Sequence, residues 1–393
     1  MSRYSIRARN NRWQARWYDD SGLRCSQMFD TRTAAKKYLD RVSADRQRGT
    51  YRDPVLGRAT FREIAEAWLA SKANLKARTR AGYAAALAPG QSIDLAFGGL
   101  PIEAVTRQRI ADWVEATASG KAASTVRNRF FVVRQICQQA YIDGRIPANP
   151  CVAVTLPKAR NVADDSTRLF LTAEQLNRLA AEMPSPYDVL VLFAGWTGLR
   201  AGEIAGLQVA DLDLSRPGRE RVQVRRTIVD VNGHLSYDTP KSRRSRRTVP
   251  LPQNLLLHLR DYVSSHPRRD VPTAPLFPGK TGHGNRSALD WDKPLRHGAF
   301  YGKTFKPAVL RAELPADLRF HDLRHTYASL CVSRGLTVKE ISSFMGHATI
   351  ATTMDIYTHL YEDDHSAAMA KLDTAWPVGR SAAQDNVIPL RRA

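Results

Sequence analysis

Cysteine, long apolar runs and acidic residues are all scarce in this 393-residue chain, and each shortage excludes a class of protein. The four cysteines, at positions 25, 137, 151 and 331, show no CxxC spacing, which argues against a disulfide framework or a cysteine-based zinc site. The longest apolar stretch, from Val189 to Trp196, is far shorter than the roughly 20 residues that span a bilayer. The first ten residues lack the apolar core of a signal peptide. We therefore expect a cytoplasmic protein without a membrane span.

Basic residues, in contrast, are abundant. The chain has 59 Lys and Arg against 38 Asp and Glu, a net charge of +21. Residues 1–160 hold 28 basic and 13 acidic residues, so they carry +15 of this excess. Because a basic surface attracts phosphate groups over long distances, the composition predicts a polyanionic partner that is bound mainly by the N-terminal parts.

Residues 1–55 show the pattern of a small sheet followed by one helix. The predicted elements are strands around Ile6, at 12–18 and at 24–29, a hairpin turn at 19–22, and a helix at 32–48. Thr31 is the predicted N-cap of that helix.

Residues 58–154 have a helical pattern throughout. The predicted helices are 61–70, 79–87, 106–118 and 124–141. The last of these has one apolar face, which consists of Val126, Phe130, Val133, Ile136, Cys137 and Ala140. Residues 155–167 are polar and without periodicity, which is typical of a linker between domains.

Residues 165–376 combine helices with a few strands. Thr172 and Gln175 form the pattern of a capping box at the first helix. Strands are predicted at 221–231, 235–239 and 247–251, with Asn232-Gly233 as a hairpin turn, and an irregular stretch is expected at 267–294. Residues 377–393 are polar and are expected to be mobile.

Five short segments of this third part contain reactive side chains. They are TGLRAGEI with Arg200, TPKSR with Lys241, HDLRHT with His321 and Arg324, MGHAT with His347, and IYTH with Tyr357. Taken singly, each residue has a simpler structural explanation. Arg200 could pair with Glu203 on a helix surface, and Lys241 could be one more cation in a basic turn. His347 could cap a helix, and Tyr357 could belong to the core.

A zinc site is the specific alternative for His321 and His325. Histidines four residues apart share one face of a helix, as zinc ligands do. However, no glutamate lies between them in the HExxH pattern, and Arg324 would sit beside the metal. We therefore consider a metal site the weaker interpretation.

Together, these residue types have the chemistry for attack on a DNA phosphodiester without a metal ion. Two arginines can form bidentate hydrogen bonds to the oxygens on which charge builds. Two histidines can donate hydrogen bonds or move protons, and a lysine can protonate the leaving 5′ oxygen. A tyrosine can attack phosphorus and form a covalent ester, so that the reaction reverses without ATP. The sequence has no P-loop pattern and no acidic cluster arranged for two metal ions, and no cofactor is predicted.

The order and context of these residues resemble the catalytic domain of tyrosine recombinases, the phage integrase family. Its pattern is Arg, Lys, His-x-x-Arg, His and Tyr. The resemblance assigns the catalytic residues to Arg200, Lys241 in a β-hairpin turn, His321, Arg324, His347 and the nucleophile Tyr357. Tyr361 is the local rival as nucleophile, and Glu203 matches an acidic position that supports the site.

The resemblance extends over the whole chain and implies a multidomain fold. Residues 1–55 resemble an arm-type DNA-binding domain of a small β-sheet plus helix, and residues 58–154 an all-α core-binding domain. Residues 165–376 resemble a mixed, mainly α catalytic domain with a small antiparallel β-sheet. The residues expected to face or support DNA in the first domain are Arg7, Arg9, Arg12, Arg16, Trp13, Trp17 and Tyr18. Some of the aromatic residues could instead pack on the helix near Tyr38.

The implied activity is site-specific recombination through a covalent 3′-phosphotyrosine, integrating and also excising a phage or mobile element. The implied partners are double-stranded DNA with core and arm sites, further copies in a homotetramer, an excisionase and a host DNA-bending protein, all at the bacterial nucleoid. One alternative is a DNA-binding architectural protein or repressor, which leaves the six candidate catalytic residues unexplained. Another is a type IB topoisomerase, which relaxes supercoiled DNA. Relaxation requires no second DNA site, so it leaves the arm-type N-terminal domain without a role.

Overall fold

The computed structural model describes residues 4–18, 22, 24–47, 56–158, 169–239, 246–281, 287–347 and 349–357. Contacts divide the chain into two compact units, of which the first comprises residues 1–161 with 231–234 and the second residues 162–230 with 235–393. None of the helices in these ranges has both the length and the apolarity that crossing a bilayer requires. The predicted tail at 377–393 lies outside the described residues.

The chain begins with a three-stranded antiparallel sheet and one helix. The elements are β1 (Tyr4–Arg9), β2 (Arg12–Tyr18), β3 (Arg24–Phe29) and α1 (Arg32–Gln47), with β2 at the centre of the sheet. Thr31 caps α1, because its Oγ1 accepts a hydrogen bond of 3.1 Å from the backbone N–H of Ala34. The predicted strands and helix are confirmed, whereas most of the predicted turn at 19–22 lies outside the described residues.

The predicted DNA-facing residues of this sheet have different environments. Trp17 is completely buried and packs on Tyr38, with ring centroids 5.2 Å apart, so it belongs to the core. Trp13 is half-buried, and the guanidinium of Arg32 lies 5.7 Å from the centre of its ring. The residues that remain exposed are Arg7, Arg9, Arg12 and Tyr18, and Arg16 is half-buried.

Four longer helices follow. They are α2 (Phe61–Ser71), α3 (Ala77–Leu87), α4 (Arg107–Ala118) and α5 (Ala123–Ile142). A capping box starts α2: Thr60 Oγ1 accepts from the N–H of Glu63, and Glu63 accepts from the N–H of Thr60 at 2.7 Å. All six residues predicted on the apolar face of α5 are buried in the core of this bundle.

The second unit is mainly helical. Its helices are α6 (Ala173–Ala181), α7 (Tyr187–Thr197), α8 (Ala201–Ala205), α9 (Gln253–Ser264), α10 (His297–Phe300), α11 (Lys306–Arg311), α12 (Asp322–Ser333), α13 (Val338–Met345) and α14 (Ile350–Tyr357). The predicted capping box of α6 is confirmed, since Gln175 N–H donates to Thr172 Oγ1 at 3.1 Å and Thr172 N–H donates to Gln175 Oε1 at 2.9 Å.

The strands that the structure describes in this unit form three small sheets. They are β4 (Leu212–Asp213), β5 (Arg221–Val224), β6 (Thr227–Val231), β7 (His234–Asp238), β8 (Arg247–Pro250), β9 (Pro278–Thr281) and β10 (Ala288–Pro294). The sheet orders are β4-β5-β8, β6-β7 and β10-β9. Asn232 and Gly233 form the predicted turn between β6 and β7, both with positive φ, as a type I′ hairpin requires.

Two sequence predictions for these strands are wrong. The single strand predicted at 221–231 is divided at Arg225 and Arg226 into β5 and β6, which belong to different sheets. Strand β8 pairs with β5. The segment that holds Lys241, for which a β-hairpin turn is predicted, lies outside the described residues. The stretch expected to be irregular, 267–294, contains β9 and β10, which pair with each other.

Helix α7 lies at the centre of the core. Leu190, Val191 and Phe193 have no exposed surface, and almost every other residue of the helix is buried. A helix that is apolar on all sides is stable only when neighbours surround it, and α7 packs against α6, α9 and α12. The C-terminal end of α7, where the candidate site begins, is therefore held on a rigid support.

Candidate active site

A glycine turn at the end of α7 positions Arg200. Gly198 adopts the left-handed conformation with φ +64°, so the chain leaves the helix sharply and Arg200 becomes the N-cap of α8. A Cβ atom at position 198 would lie 2.3 Å from Cδ1 of Tyr327. Both the backbone conformation and the available space therefore require glycine here.

The guanidinium of Arg200 is held along one edge. Its Nη1 donates to Glu203 Oε1 at 3.0 Å, and its Nη2 donates to the carbonyl oxygen of Gly346 at 3.1 Å. The backbone N–H of Arg200 donates to Glu203 Oε2 at 2.9 Å. Because 40% of the side chain remains exposed, the guanidinium is both oriented and accessible to a ligand.

Glu203 joins Arg200 to a second arginine, Arg247 of β8. Arg247 donates from Nη1 to Oε1 of Glu203 at 3.0 Å and from Nη2 to Oε2 at 2.9 Å, and the Arg247 Nε donates to the carbonyl oxygen of Phe344 at 2.6 Å. Burial alone would raise the pKa of Glu203, but the hydrogen bonds and charge of Arg247, with the charge of Arg200, lower it below its ordinary value. Glu203 is therefore an ionised, buried carboxylate that orients two arginines.

Arg324 approaches the same region from α12. It is 4% exposed, and its Nη1 donates to the carbonyl oxygen of Gly198 at 2.6 Å. Gly198, which the turn before Arg200 requires, thus also supplies the carbonyl oxygen that accepts a hydrogen bond from Arg324. The two predicted arginines are brought together by the backbone of 198–200.

His321 immediately precedes α12. Asp322 secures this helix start, because its carboxylate accepts from the N–H of Arg319 at 2.7 Å and from Arg319 Nη2 at 2.8 Å. Partial desolvation of the His321 ring, followed by the positive charge of Arg324, lowers the pKa of His321 below its ordinary value. We therefore expect His321 to be neutral near pH 7.

The ring of His325 stands at right angles to that of His321, with centroids 5.1 Å apart, and the ring centroid of Phe170 lies 6.4 Å from that of His325. Within the described part of the chain, no group of three His, Cys, Asp or Glu side chains is placed to hold a metal ion.

His347 follows the C-terminal end of α13. Gly346 ends that helix with φ +66°, and a Cβ there would lie 2.9 Å from Nη1 of Arg247. His347 is 9% exposed, and its Nδ1 lies 2.7 Å from Oγ1 of Thr353. Burial, and then the positive charges of Arg324, Arg200 and Arg247, lower the pKa of His347 to about 3. It is therefore a neutral hydrogen-bonding group at neutral pH.

An open, basic cleft of about 360 Å³ adjoins these residues. It is lined by Arg246, Arg247, Lys339, Ser342, Ser343, Gly346, His347 and Ile350. The surroundings of His347 therefore offer cations, hydroxyl groups and space to an anionic ligand.

Comparisons with known proteins identify the family. Residues 169–364 match the phage integrase family. The putative prophage phiRv2 integrase of Mycobacterium tuberculosis (strain ATCC 25618 / H37Rv) is 30% identical over 356 residues, which cover 88% of each chain. The chain belongs to the phage integrase family. Members of this family are tyrosine recombinases, so the protein is a site-specific DNA recombinase, and the interpretation as a non-catalytic DNA-binding protein is not favoured.

Solved structures show the same fold. The Tn1549 transposon integrase in complex with transposon right end DNA has a TM-score of 0.62 at 18% identity, covering 80% of this chain and 99% of that one. A lambda integrase tetramer bound to a Holliday junction has a TM-score of 0.51 at 16% identity, covering 89% of this chain and 96% of that one. The recombinase therefore has the tyrosine recombinase fold, with a small N-terminal sheet and a mainly helical catalytic region.

Two of the six predicted catalytic residues of this recombinase have no described side chain. Lys241 lies outside the described residues. Tyr357 is the last described residue of α14, and only its backbone is described. Tyr361 lies beyond the described part. Of the other four residues, three lie next to the glycine turns at positions 198 and 346, namely Arg200, Arg324 and His347. His321 lies at the start of α12, the helix that contains Arg324.

Sequence reasoning missed two residues of this integrase site. In the sequence, Arg247 is one of several cations in a basic segment, yet in the structure it is the buried partner of Glu203. Thr353 does not stand out in the sequence, although it contacts His347 in the structure. Its position four residues before Tyr357 in TTMDIY was the available signal, because residues four apart lie one helical turn from each other.

Proposed function

We propose that this recombinase cuts one DNA strand by attack of the Tyr357 phenol on the scissile phosphate, leaving a 3′-phosphotyrosine and a free 5′ hydroxyl. A new bond forms between the tyrosine oxygen and phosphorus as the bond from phosphorus to the 5′ oxygen breaks. The ester retains the energy of the broken bond, so a 5′ hydroxyl from another strand can reverse the step without ATP.

The observation that carries this proposal is the convergence of Arg200, Arg324 and His347 on two neighbouring glycine turns. Arg200 contacts the carbonyl of Gly346, the residue before His347, and Arg324 contacts the carbonyl of Gly198, two residues before Arg200. Two arginines and one neutral histidine suit the non-bridging oxygens of a phosphate, where negative charge grows during attack.

Proton transfers complete the step. The phenol of Tyr357 must lose its proton, and we assign that proton to His321, whose lowered pKa keeps it neutral and able to accept. The leaving 5′ oxygen must gain a proton, and we assign its donor to Lys241. The protons lost and gained then balance over one cleavage.

We further propose that the full reaction joins a phage or mobile element to a bacterial chromosome, with four protomers exchanging strands between two DNA duplexes. The lambda integrase tetramer on a Holliday junction supports this stoichiometry. An excisionase and a host DNA-bending protein remain proposed partners, and the proposed place of action is the bacterial cytoplasm at the nucleoid.

We also propose three functional domains, at 1–55, 58–154 and 165–376. The exposed arginines of the N-terminal sheet, Arg7, Arg9 and Arg12, support its assignment to arm-type DNA sites. Deletion of residues 1–55 is expected to preserve covalent cleavage at the core site but to weaken arm-site binding and integration. Unchanged integration by the shortened protein would contradict this role.

The central experiment uses a nicked attachment-site DNA, from which the short strand is lost after cleavage so that the covalent product accumulates. Wild type should give a protease-sensitive adduct on a denaturing gel, whereas Tyr357→Phe should bind the DNA and give none. Tyr361→Phe is the matched control and should give the wild-type adduct. An adduct with Tyr357→Phe that is lost in Tyr361→Phe would move the nucleophile to Tyr361. No adduct from wild type on DNA that it binds would contradict the proposal.

A further inference from the structure

His347 and Thr353 form a contact that the proposed reaction does not yet explain. The Nδ1 atom of His347 and Oγ1 of Thr353 are 2.7 Å apart, and both residues are buried, at 9% and 1% exposure. Thr353 lies in α14, and the backbone of Tyr357 follows it four residues later in the same helix. A side chain so completely buried keeps a hydroxyl only where that hydroxyl has a partner.

The position of the single proton on a neutral imidazole decides what His347 can do. A phosphate oxygen only accepts hydrogen bonds, so the ring nitrogen that faces it must carry the proton. Nδ1 is occupied by Thr353, which leaves Nε2 for the phosphate. In a neutral histidine, the hydrogen bond made by one ring nitrogen sets which of the two is protonated. If Thr353 donates to Nδ1, the proton is held on Nε2.

The groups around His347 keep its ring neutral. Burial of the ring lowers its pKa most, and further opposition to its protonation comes from Arg324 of α12, Arg200 at the start of α8, Arg247 of β8 and His325 of α12. Its backbone N–H is satisfied separately by the carbonyl of Ser342 in α13. Among the described residues, the contact to Thr353 is therefore the hydrogen bond that orients the ring itself.

We propose that Thr353 is a positioning residue: its hydroxyl donates to Nδ1 of His347, holds the proton on Nε2, and ties helix α14 to the phosphate-binding residues. Four helical residues rise by roughly 6 Å, so the tie acts about one turn before the backbone of Tyr357. The same hydrogen bond thus prepares a donor for the phosphate and fixes the helix that carries the nucleophile. This inference rests on the proposed role of Tyr357 and His347.

Two substitutions separate the hydroxyl from the shape of the side chain. Thr353→Val keeps the volume and removes the hydroxyl, whereas Thr353→Ser keeps the hydroxyl and removes a methyl group. On the nicked substrate we expect Val to slow adduct formation at least about tenfold, with DNA binding unchanged, and Ser to stay within about threefold of wild type. A residue that only fills space would give the opposite order, with Val close to wild type. That order, or equal losses in both variants, would overturn the proposal.

Thr304→Val is the matched control, because Thr304 is a buried threonine of the same unit, at 7% exposure. It should cleave at the wild-type rate.

A second measurement reads the tautomer directly. Nitrogen NMR of protein labelled at histidine should show His347 protonated at Nε2, with its signals identified by their loss in His347→Gln. In Thr353→Val the ring should shift toward an Nδ1–H population. A wild-type ring protonated at Nδ1 would overturn the inference even if cleavage proceeds. If wild type forms no adduct, the proposed reaction fails, whereas the NMR result still decides the role of Thr353.

Discussion

Arg247 and Glu203 form a bidentate ion pair in which both side chains are almost completely buried, at 6% and 5% exposure. Arg200 binds the same carboxylate from the side that remains accessible. One carboxylate therefore sets the positions of a buried and an accessible arginine. A buried charge destabilises the fold unless a charge of opposite sign pairs with it. Removal of either member of the pair alone should therefore cause a large loss of stability.

Arg247→Leu is expected to destabilise the protein by about 3–5 kcal/mol, because it leaves Glu203 ionised and without its main partner in the interior. Scanning calorimetry of the full chain measures the loss. The control is Arg268→Leu, whose partner Asp292 lies 2.7 Å away in a pair that is 47% and 64% exposed, and which should cost at most about 1 kcal/mol. Equal losses in the two variants would contradict the importance of burial.

Gly198→Ala should reduce both stability and cleavage. Its positive φ costs an alanine about 1 kcal/mol, and the new Cβ would overlap Tyr327, so we expect a total loss of about 2–4 kcal/mol. Cleavage should fall because the carbonyl of Gly198 holds Arg324. Gly335→Ala has a similar φ of +75° with no atom within 4 Å of the added Cβ, so it should cost only the conformational part. A cleavage rate unchanged in Gly198→Ala would show that the turn does not position the site.

Arg200→Ala and Arg324→Ala should both lower the rate of adduct formation by about 100-fold or more, because each removes a charged donor from the phosphate. Their effects on stability should differ. Arg324 is 4% exposed and its loss leaves a buried cavity, whereas the Arg200 side chain is 40% exposed. Calorimetry should therefore show the larger loss for Arg324→Ala. Normal cleavage by either variant would remove that arginine from the proposed mechanism.

Stability should depend on the protonation of His347. Its pKa is about 3 in the folded protein and ordinarily 6.5, so between these values the unfolded chain binds a proton that the folded chain does not. The contribution of the neutral His347 ring to the free energy of unfolding is thus fully present above pH 6.5 and is lost as the pH falls toward 3. From pH 7.5 to 5.0, wild type should lose about 1–2 kcal/mol more unfolding free energy than His347→Gln. Urea unfolding of both proteins at both pH values tests this expectation. Losses of unfolding free energy of the same size in wild type and His347→Gln would contradict it. Other histidines, such as His266 and His297, titrate equally in both proteins and cancel.

Metal removal should leave cleavage intact. The proposed mechanism assigns charge stabilisation to Arg200 and Arg324 and proton transfer to His321 and Lys241, so it requires no divalent cation. Adduct formation on the nicked substrate is expected to be the same in EDTA as in magnesium. A rate that falls in EDTA and returns with added metal would contradict this assignment.

Local sequence patterns determined most of the secondary structure. Thr172 marked a helix start because a hydroxyl followed three residues later by Gln satisfies the free N–H groups of the first turn. The apolar spacing of α5 identified its buried face, since a helix brings residues three and four apart to the same side. Asn232-Gly233 identified the β6–β7 turn because its backbone needs two positive φ angles. The order of the motifs likewise indicated the family.

Only the tertiary structure decided which residues meet. The 221–231 segment reads as one strand, but its halves join different sheets, and strand pairing between distant segments leaves no local pattern. Arg247 resembles its basic neighbours in sequence, and its role follows from the burial of Glu203, which lies 44 residues earlier. Thr353 is one of two adjacent threonines, and only the position of His347 distinguishes it. The sequence by itself determined the chemical groups and the local elements, whereas the packing around α7 decided their partners, because contacts between distant residues depend on the whole fold.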